Sequence, residues 1–295
     1  MGRNHHHHND TSNIKVAFFL NLGFTIIEII GGLLTNSLAI LSDAAHDLGD
    51  SIALGLAWYF QKISNKRRTN KYTYGYKRFS LLGAIINSII LIVGSIFIIQ
   101  GAIPRLIEPQ EIFSEGVIAL AILGVIVNGA AVIRLRKGSS LNEKVVSLHL
   151  LEDVLGWVAV LIGSIVIYFT GWYVIDAYLS LGIALFILIN VFRNLKSAFN
   201  IILQAVPESS NIPEIELILK SIESVLDIHD LHLWTMDGEN NILTVHLVVD
   251  DNTSDKQRAL IKQEARKRLK SQNIHHSTIE IEGNQEDCEH IELHE

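Results

Sequence analysis

Six apolar stretches run through this chain, near residues 14–35, 38–60, 79–103, 112–134, 145–170 and 173–193. Each approaches the roughly 20 residues that carry a helix across a bilayer. That pattern leaves few folds. Hydrocarbon offers backbone N–H and C=O groups no partners, so a spanning segment must satisfy them internally, as a helix does. A 49% hydrophobic composition agrees with it. The first stretch carries Asn21 and Glu28 and lacks a small-residue cleavage site, so it reads as a span and not as a cleaved signal peptide.

Loop charge orients the spans. The segment 61–78 holds seven Lys or Arg, and 134–144 holds four. The alternate links TNS, PRLIEPQE and TGW contain one Arg between them. The positive-inside rule puts both basic loops in the cytoplasm, and six spans then place both termini there too. After Pro207 the chain changes character. Residues 212–226 read as an amphipathic helix, HDLHLWTM and ILTVHLVVD as strands around a DGEN turn, 254–271 as a polar helix and STIEIE as a last strand. The expected fold is an all-α six-helix transmembrane domain plus a small cytoplasmic α+β domain of ferredoxin-like, metallochaperone-like kind. The expected divisions are a His-rich tail at 1–12, the membrane domain at 13–206, the soluble domain at 207–284 and an acidic Cys/His tail at 285–295.

Ionisable residues at bilayer depth are costly and need a reason. The second span contains SDAAHDLGD, the fifth SLHLLEDVLG. His46 and Asp50 stand four residues apart, as do His149 and Asp153, so each pair lies on one helix face. Facing each other, the pairs offer two nitrogens and two carboxylates, a tetrahedral set suited to Zn²⁺. Imidazole disfavours Mg²⁺ and Ca²⁺. The bland alternative is four polar residues that satisfy one another. Asp43 and Asp176 read as candidates for lining the ion's path, whereas Asn21, Glu28, Asn87 and Asn128 read as helix–helix glue or vestibule lining. Asp47 and Glu152 are neighbours of the ligands in sequence but point elsewhere.

NSLAILSDAAHDLGD, YTYGYKRFSLLGAIIN, SLNEKVVSLHLLEDVLG and HDLHLWTM resemble, in order, the hallmark segments of the cation diffusion facilitator family. The resemblance, to the bacterial type, covers nearly the whole chain. It implies a homodimer that transports metal through the paired His-x-x-x-Asp site, and its two-histidine form resembles that of zinc-selective members. The loop after the second span lacks the metal-binding histidines that some members carry there, and the loop between spans four and five is short.

The resemblance also implies a zinc site on the soluble domain, at His229, His246 and Glu282, with Glu280 beside it. Strand alternation puts His246, Glu280 and Glu282 opposite the apolar Leu243, Val245, Leu247, Ile279 and Ile281. It does not support His229, which shares parity with Leu231 and Leu233; by counting, His232 is the outward histidine. Ordinary solvated polar residues are the alternative. Cys288 and His290 on the tail are further soft ligands, or part of a plain acidic tail. Cys288 is the only cysteine, so no intrachain disulfide forms.

The expected function is therefore secondary active export of Zn²⁺, with Cd²⁺ or Co²⁺ as further candidates, from the cytoplasm across the cell membrane in exchange for protons. Zn²⁺ is both cargo and regulatory ligand. The alternatives are a membrane metal sensor and a membrane metalloenzyme using the same ligands. A catalytic zinc keeps one position open, and the chain has neither His-Glu-x-x-His nor a nucleophile elbow. No basic face suited to nucleic acid is present.

Overall fold

The computed structural model describes residues 7–64, 66–135 and 141–286; at 7–18, 20, 54, 57, 58, 61, 134, 135 and 141–149 it describes the backbone alone. It divides into two compact units, residues 1–62 with 82–195, and residues 63–81 with 196–295.

The first unit is built on six long helices: α1 (His7–Thr35), α2 (Leu38–Ser64), α3 (Phe79–Ile107), α4 (Ser114–Leu135), α5 (Leu141–Thr170) and α6 (Val174–Ile202). Among the described residues, 4 helices, α3 to α6, have the length and apolar character to cross a membrane. Large apolar side chains such as Phe97, Phe169 and Leu34 stand exposed on the helices, costly in water and at home in lipid. The helix α6 runs past the apolar segment that ends near 193, through Arg193, Asn194 and Lys196. Polar residues end the hydrophobic stretch there without ending the helix. The α1–α2 turn is tight, with Asn36 at φ 56, and Arg105 pins it by donating to the Asn36 carbonyl and side-chain oxygen, both at 2.7 Å. Gly171, at φ 68, turns α5 into α6.

Among the described residues, Trp157 is the largest fully buried side chain. It fills the space between α1 and α4, edge-on to Phe24 at 5.9 Å and lying over Gly124, where a Cβ would meet its ring at 2.2 Å. Gly124 thus lets α4 close on α5, and the ring sits one turn after Asp153.

The second unit carries helix–strand–strand–helix–strand: α7 (Ile212–Lys220), β1 (Val225–Thr235), β2 (Asn241–Val249), α8 (Asp255–Ser271) and β3 (Ile274–Gly283). The sheet order is β1-β2-β3, with β1 antiparallel and β3 parallel to β2, so α8 forms the crossover. Leu243, Leu247, Leu219 and Leu269 are fully buried between sheet and helices; such burial contributes about 1.5–3 kcal/mol per side chain. The first helix stops at Lys220, short of the expected 226. Ile222 enters the core from a turn, and Val225 already pairs with Val249, so strand pairing overrides the helical periodicity. Lys220 reaches Asp227 at 2.7 Å, and that hydrogen bond pulls the Asp227 carboxyl below its ordinary range. A capping box, Ser254 with Gln257, starts α8.

Candidate metal centres

In the helical unit, α2 brings His46 and Asp50 to one face, with Nε2 3.8 Å from Oδ2. Asp153 of α5 approaches the same His46 Nε2, its Oδ1 at 4.0 Å. One imidazole therefore stands between carboxylates from two helices. Bonds near 2.0–2.2 Å in a tetrahedron put ligand atoms about 3.4 Å apart. A closing movement of about half an ångström would bring these three into range of one ion. His149 lies on α5 one turn before Asp153; its side chain is outside the described residues. Beside His46 is a cleft lined by Ser42, Ala45, Leu91, Ser95, Ile98 and Ile187, too narrow for a water molecule.

Acidic residues surround this group. Asp43 and Asp47 are each 7% exposed and Glu28 of α1 only 1%. Glu28 has Asp47, Asp43 and Asp153 as its charged neighbours, so it belongs to the acidic surroundings of the site and is not simple glue between helices. Asp47 turns toward Glu28, and Asn21 ties down its turn by donating to the Asp47 carbonyl at 3.1 Å and to Ser51 Oγ at 3.0 Å. Glu152 is exposed.

Asp176 does not line a path. Its Oδ1 accepts from Ser37 Oγ at 2.5 Å, its Oδ2 from the Leu38 amide at 2.8 Å, and Arg105 Nη1 stands 4.0 Å away. The carboxylate is committed to the first amides of α2, where a helix needs acceptors. Across α6 it anchors the helix that carries His46 and Asp50.

In the second unit, counting alternation fails at one place. Between His229 and His232 the β1–β2 register slips by one residue, with Asp230 at φ 49. This bulge puts His229 opposite His246 and His232 opposite Thr244, so both histidines share the face of His246. On that face Glu282 bridges two rings: Oε1 is 2.6 Å from His246 Nδ1 and Oε2 is 3.0 Å from His229 Nε2. The ligating atoms of His229, His246 and Glu282 all lie within 4.8 Å of one another. His229 Nε2 is buried without an aligned hydrogen-bond partner. Two nitrogens and a carboxylate so placed fit a zinc ion with a fourth position open. Glu280 stands at the rim, 3.7 Å from His246 Nε2 and largely exposed. Cys288 and His290 are outside the described residues.

Asp230 is the residue that sequence reasoning missed. Its Oδ2 lies 3.5 Å from His246 Nε2 and its Oδ1 2.8 Å from His232 Nε2. With His246 Nδ1 aimed at Glu282, Asp230 faces the opposite ring nitrogen, the placement from which a carboxylate orients a ligating histidine. Only the positive φ at the bulge, invisible to a period-2 count, brings it there.

A helical membrane unit with histidine and carboxylates converging inside it, followed by a small α/β unit with a His/His/Glu cluster, defines a class of metal-handling membrane proteins. Family comparison makes the class specific. The cation efflux transmembrane domain matches residues 14–203, and the cation efflux protein cytoplasmic domain, the family's dimerisation domain, matches 207–284. The chain belongs to the cation efflux family, also called cation diffusion facilitators; it is a transporter of the membrane and not an enzyme. It is 35% identical over 284 residues to the cadmium, cobalt and zinc/H(+)-K(+) antiporter of Bacillus subtilis, covering 94% of this chain and 91% of that one. It is 36% identical over 289 residues to the metal cation efflux system protein CzcD of Cupriavidus metallidurans, covering 96% and 90%. It is 33% identical over 279 residues to the zinc transporter ZitB of Escherichia coli, covering 93% and 88%.

Proposed function

We propose that this protein exports Zn²⁺ from the cytoplasm in exchange for protons, carrying the ion on His46, Asp50, His149 and Asp153. The observation that carries the reading is the approach of Asp50 and Asp153, from separate helices, to the same His46 nitrogen at 3.8 and 4.0 Å. The names of the relatives support the cargo: zinc is named in two of them, and one of these is named a cadmium, cobalt and zinc/H(+)-K(+) antiporter. All six long helices cross the plasma membrane, with both termini in the cytoplasm and the dimerisation domains pairing two copies.

In this reading the deprotonated tetrad captures Zn²⁺ from the cytoplasm. On the outward face protons compete for the same nitrogens and oxygens, and imidazole, with an ordinary pKa near 6.5, is well suited to that exchange. Moving an uncompensated divalent ion out against an inside-negative potential costs about 4.6 kcal/mol per 100 mV. Each proton entering down one pH unit returns about 1.4 kcal/mol. The closed cleft at Ser42 and Ser95, toward the amino end of α2, suits a state shut on the outer side.

The soluble domain, a three-stranded relative of the ferredoxin-like sandwich, takes a regulatory zinc at His229, His246 and Glu282, with Glu280 able to complete the set. Its ligands are already within bonding reach of one ion, so it fills first and reports cytoplasmic zinc to the dimer. That preformed cluster is also what favours a sensing role in addition to transport. Zinc flux into sealed vesicles with and without a pH gradient tests the whole reading; a zinc-binding protein that moves no zinc in either case would be a sensor alone.

A further inference from the structure

We propose that the loop joining α2 to α3 is a binding surface for the phosphates of anionic lipid headgroups. Lys66, Arg67, Arg68, Lys71, Lys77 and Arg78 lie in it, and no Asp or Glu occurs anywhere between Asp50 and Glu108 to neutralise them. No described carboxylate comes within ion-pair range of any of the six. Residues 66–74 are exposed. Arg78, at the entrance to α3, is partly buried, and its Nε has no hydrogen-bond acceptor. A buried guanidinium N–H without an acceptor is costly, and a phosphate oxygen is the acceptor it fits best.

The loop is a shaped surface as well as a charged one. Thr69 and Gly75 both donate to the Tyr72 carbonyl, at 3.1 and 3.0 Å, and Gly75 sits at φ 81. That fold gathers Tyr72, Tyr76 and Phe79 into one aromatic cluster, with ring centroids 4.8 to 5.8 Å apart, and Lys71 Nζ lies 5.7 Å from the centre of the Tyr72 ring. Tyrosine rings bridging apolar and wet surroundings are typical of the headgroup layer. The loop joins the long helix α2 to the apolar α3, which tethers it at the membrane face, where charge acts over a Debye length of about 8 Å in physiological salt. A soluble phosphate has the same chemistry but no tether. The acidic segment 280–295, with seven carboxylates, is a competing anion within the chain itself.

The test uses full-length protein in phosphatidylcholine vesicles doped with spin-labelled phosphatidylglycerol or spin-labelled phosphatidylcholine, comparing wild type with the variant Lys66→Gln/Arg67→Gln/Arg68→Gln/Lys71→Gln. The wild type is expected to prefer the anionic probe, and each cation removed to weaken that preference up to about fivefold, while zinc flux in phosphatidylcholine persists. An equal preference for both probes in the wild type overturns the proposal. So does a preference that survives in the variant, one abolished by inorganic phosphate but not by chloride at equal ionic strength, or one that appears only after residues 285–295 are deleted, which would make the acidic tail the occupant.

Discussion

His246 Nδ1 lies 2.6 Å from Glu282 Oε1, a contact between neighbouring parallel strands that turns one ring nitrogen toward the centre of the cytoplasmic cluster. The other nitrogen faces Asp230. The geometry gives Asp230 a job: standing beside Nε2, it holds the ring with Nδ1 turned toward the cluster. In a protein whose transport site is silenced by Asp153→Ala, Asp230→Asn should weaken zinc binding by about tenfold, and His246→Ala should weaken it further. Zinc titration of the purified dimer measures both. Loss with His246→Ala but none with Asp230→Asn would limit Asp230 to shaping the bulge; loss with neither would remove the site.

A second prediction concerns how α5 is held. The Trp157 ring leaves no room for a Cβ at Gly124, and Trp157 lies one turn from Asp153 on α5. Gly124→Ala should lower stability by about 1–3 kcal/mol through overpacking and slow zinc flux by displacing Asp153. Thermal unfolding in detergent, followed by flux at equal protein, reads both. An unchanged midpoint would mean that α4 and α5 are not in this contact.

Asp176 gives a third. Because it serves Ser37 and the first amides of α2, Asp176→Ala should cost about 1–3 kcal/mol of stability by leaving buried donors unpaired, with zinc affinity of the tetrad little altered. Asp176→Asn, which keeps one acceptor, should recover part of the loss. A variant of wild-type stability that binds zinc poorly would return Asp176 to the ion's path.

Ion choice gives a fourth. His46→Asp replaces the central nitrogen by oxygen and makes the site harder, so selectivity should broaden toward manganese. Uptake of zinc and manganese by matched vesicles checks it; an unaltered zinc preference would mean that His46 does not set selectivity.

The helices α3 to α6 were legible because their signal is simple: long apolar runs separated by charged links. The paired His-x-x-x-Asp spacing was equally plain, since helical period alone puts each pair on one face. What stayed hidden depended on contacts across elements. Asp176 could not be told from a path-lining acid until Ser37 and Leu38 appeared against it. Glu28 gave a warning, an acid within an apolar run, but its Asp47 and Asp43 neighbours lie on another helix. On β1, one extra residue at Asp230 reversed the facing of His229, so counting favoured His232 while the resemblance favoured His229. The bulge puts both on the same face.

The most direct test of the central claim is zinc entry into sealed, acid-loaded vesicles containing wild-type protein or a folded, dimeric Asp153→Ala variant at equal density. The wild type should take up zinc, faster as the lumen is made more acidic, and release protons as it does so; the variant should do neither, because losing one of four ligands in a desolvated site leaves the ion uncompensated. Wild-type uptake by Asp153→Ala, or wild-type flux indifferent to the pH gradient, would contradict proton-driven zinc export through this site.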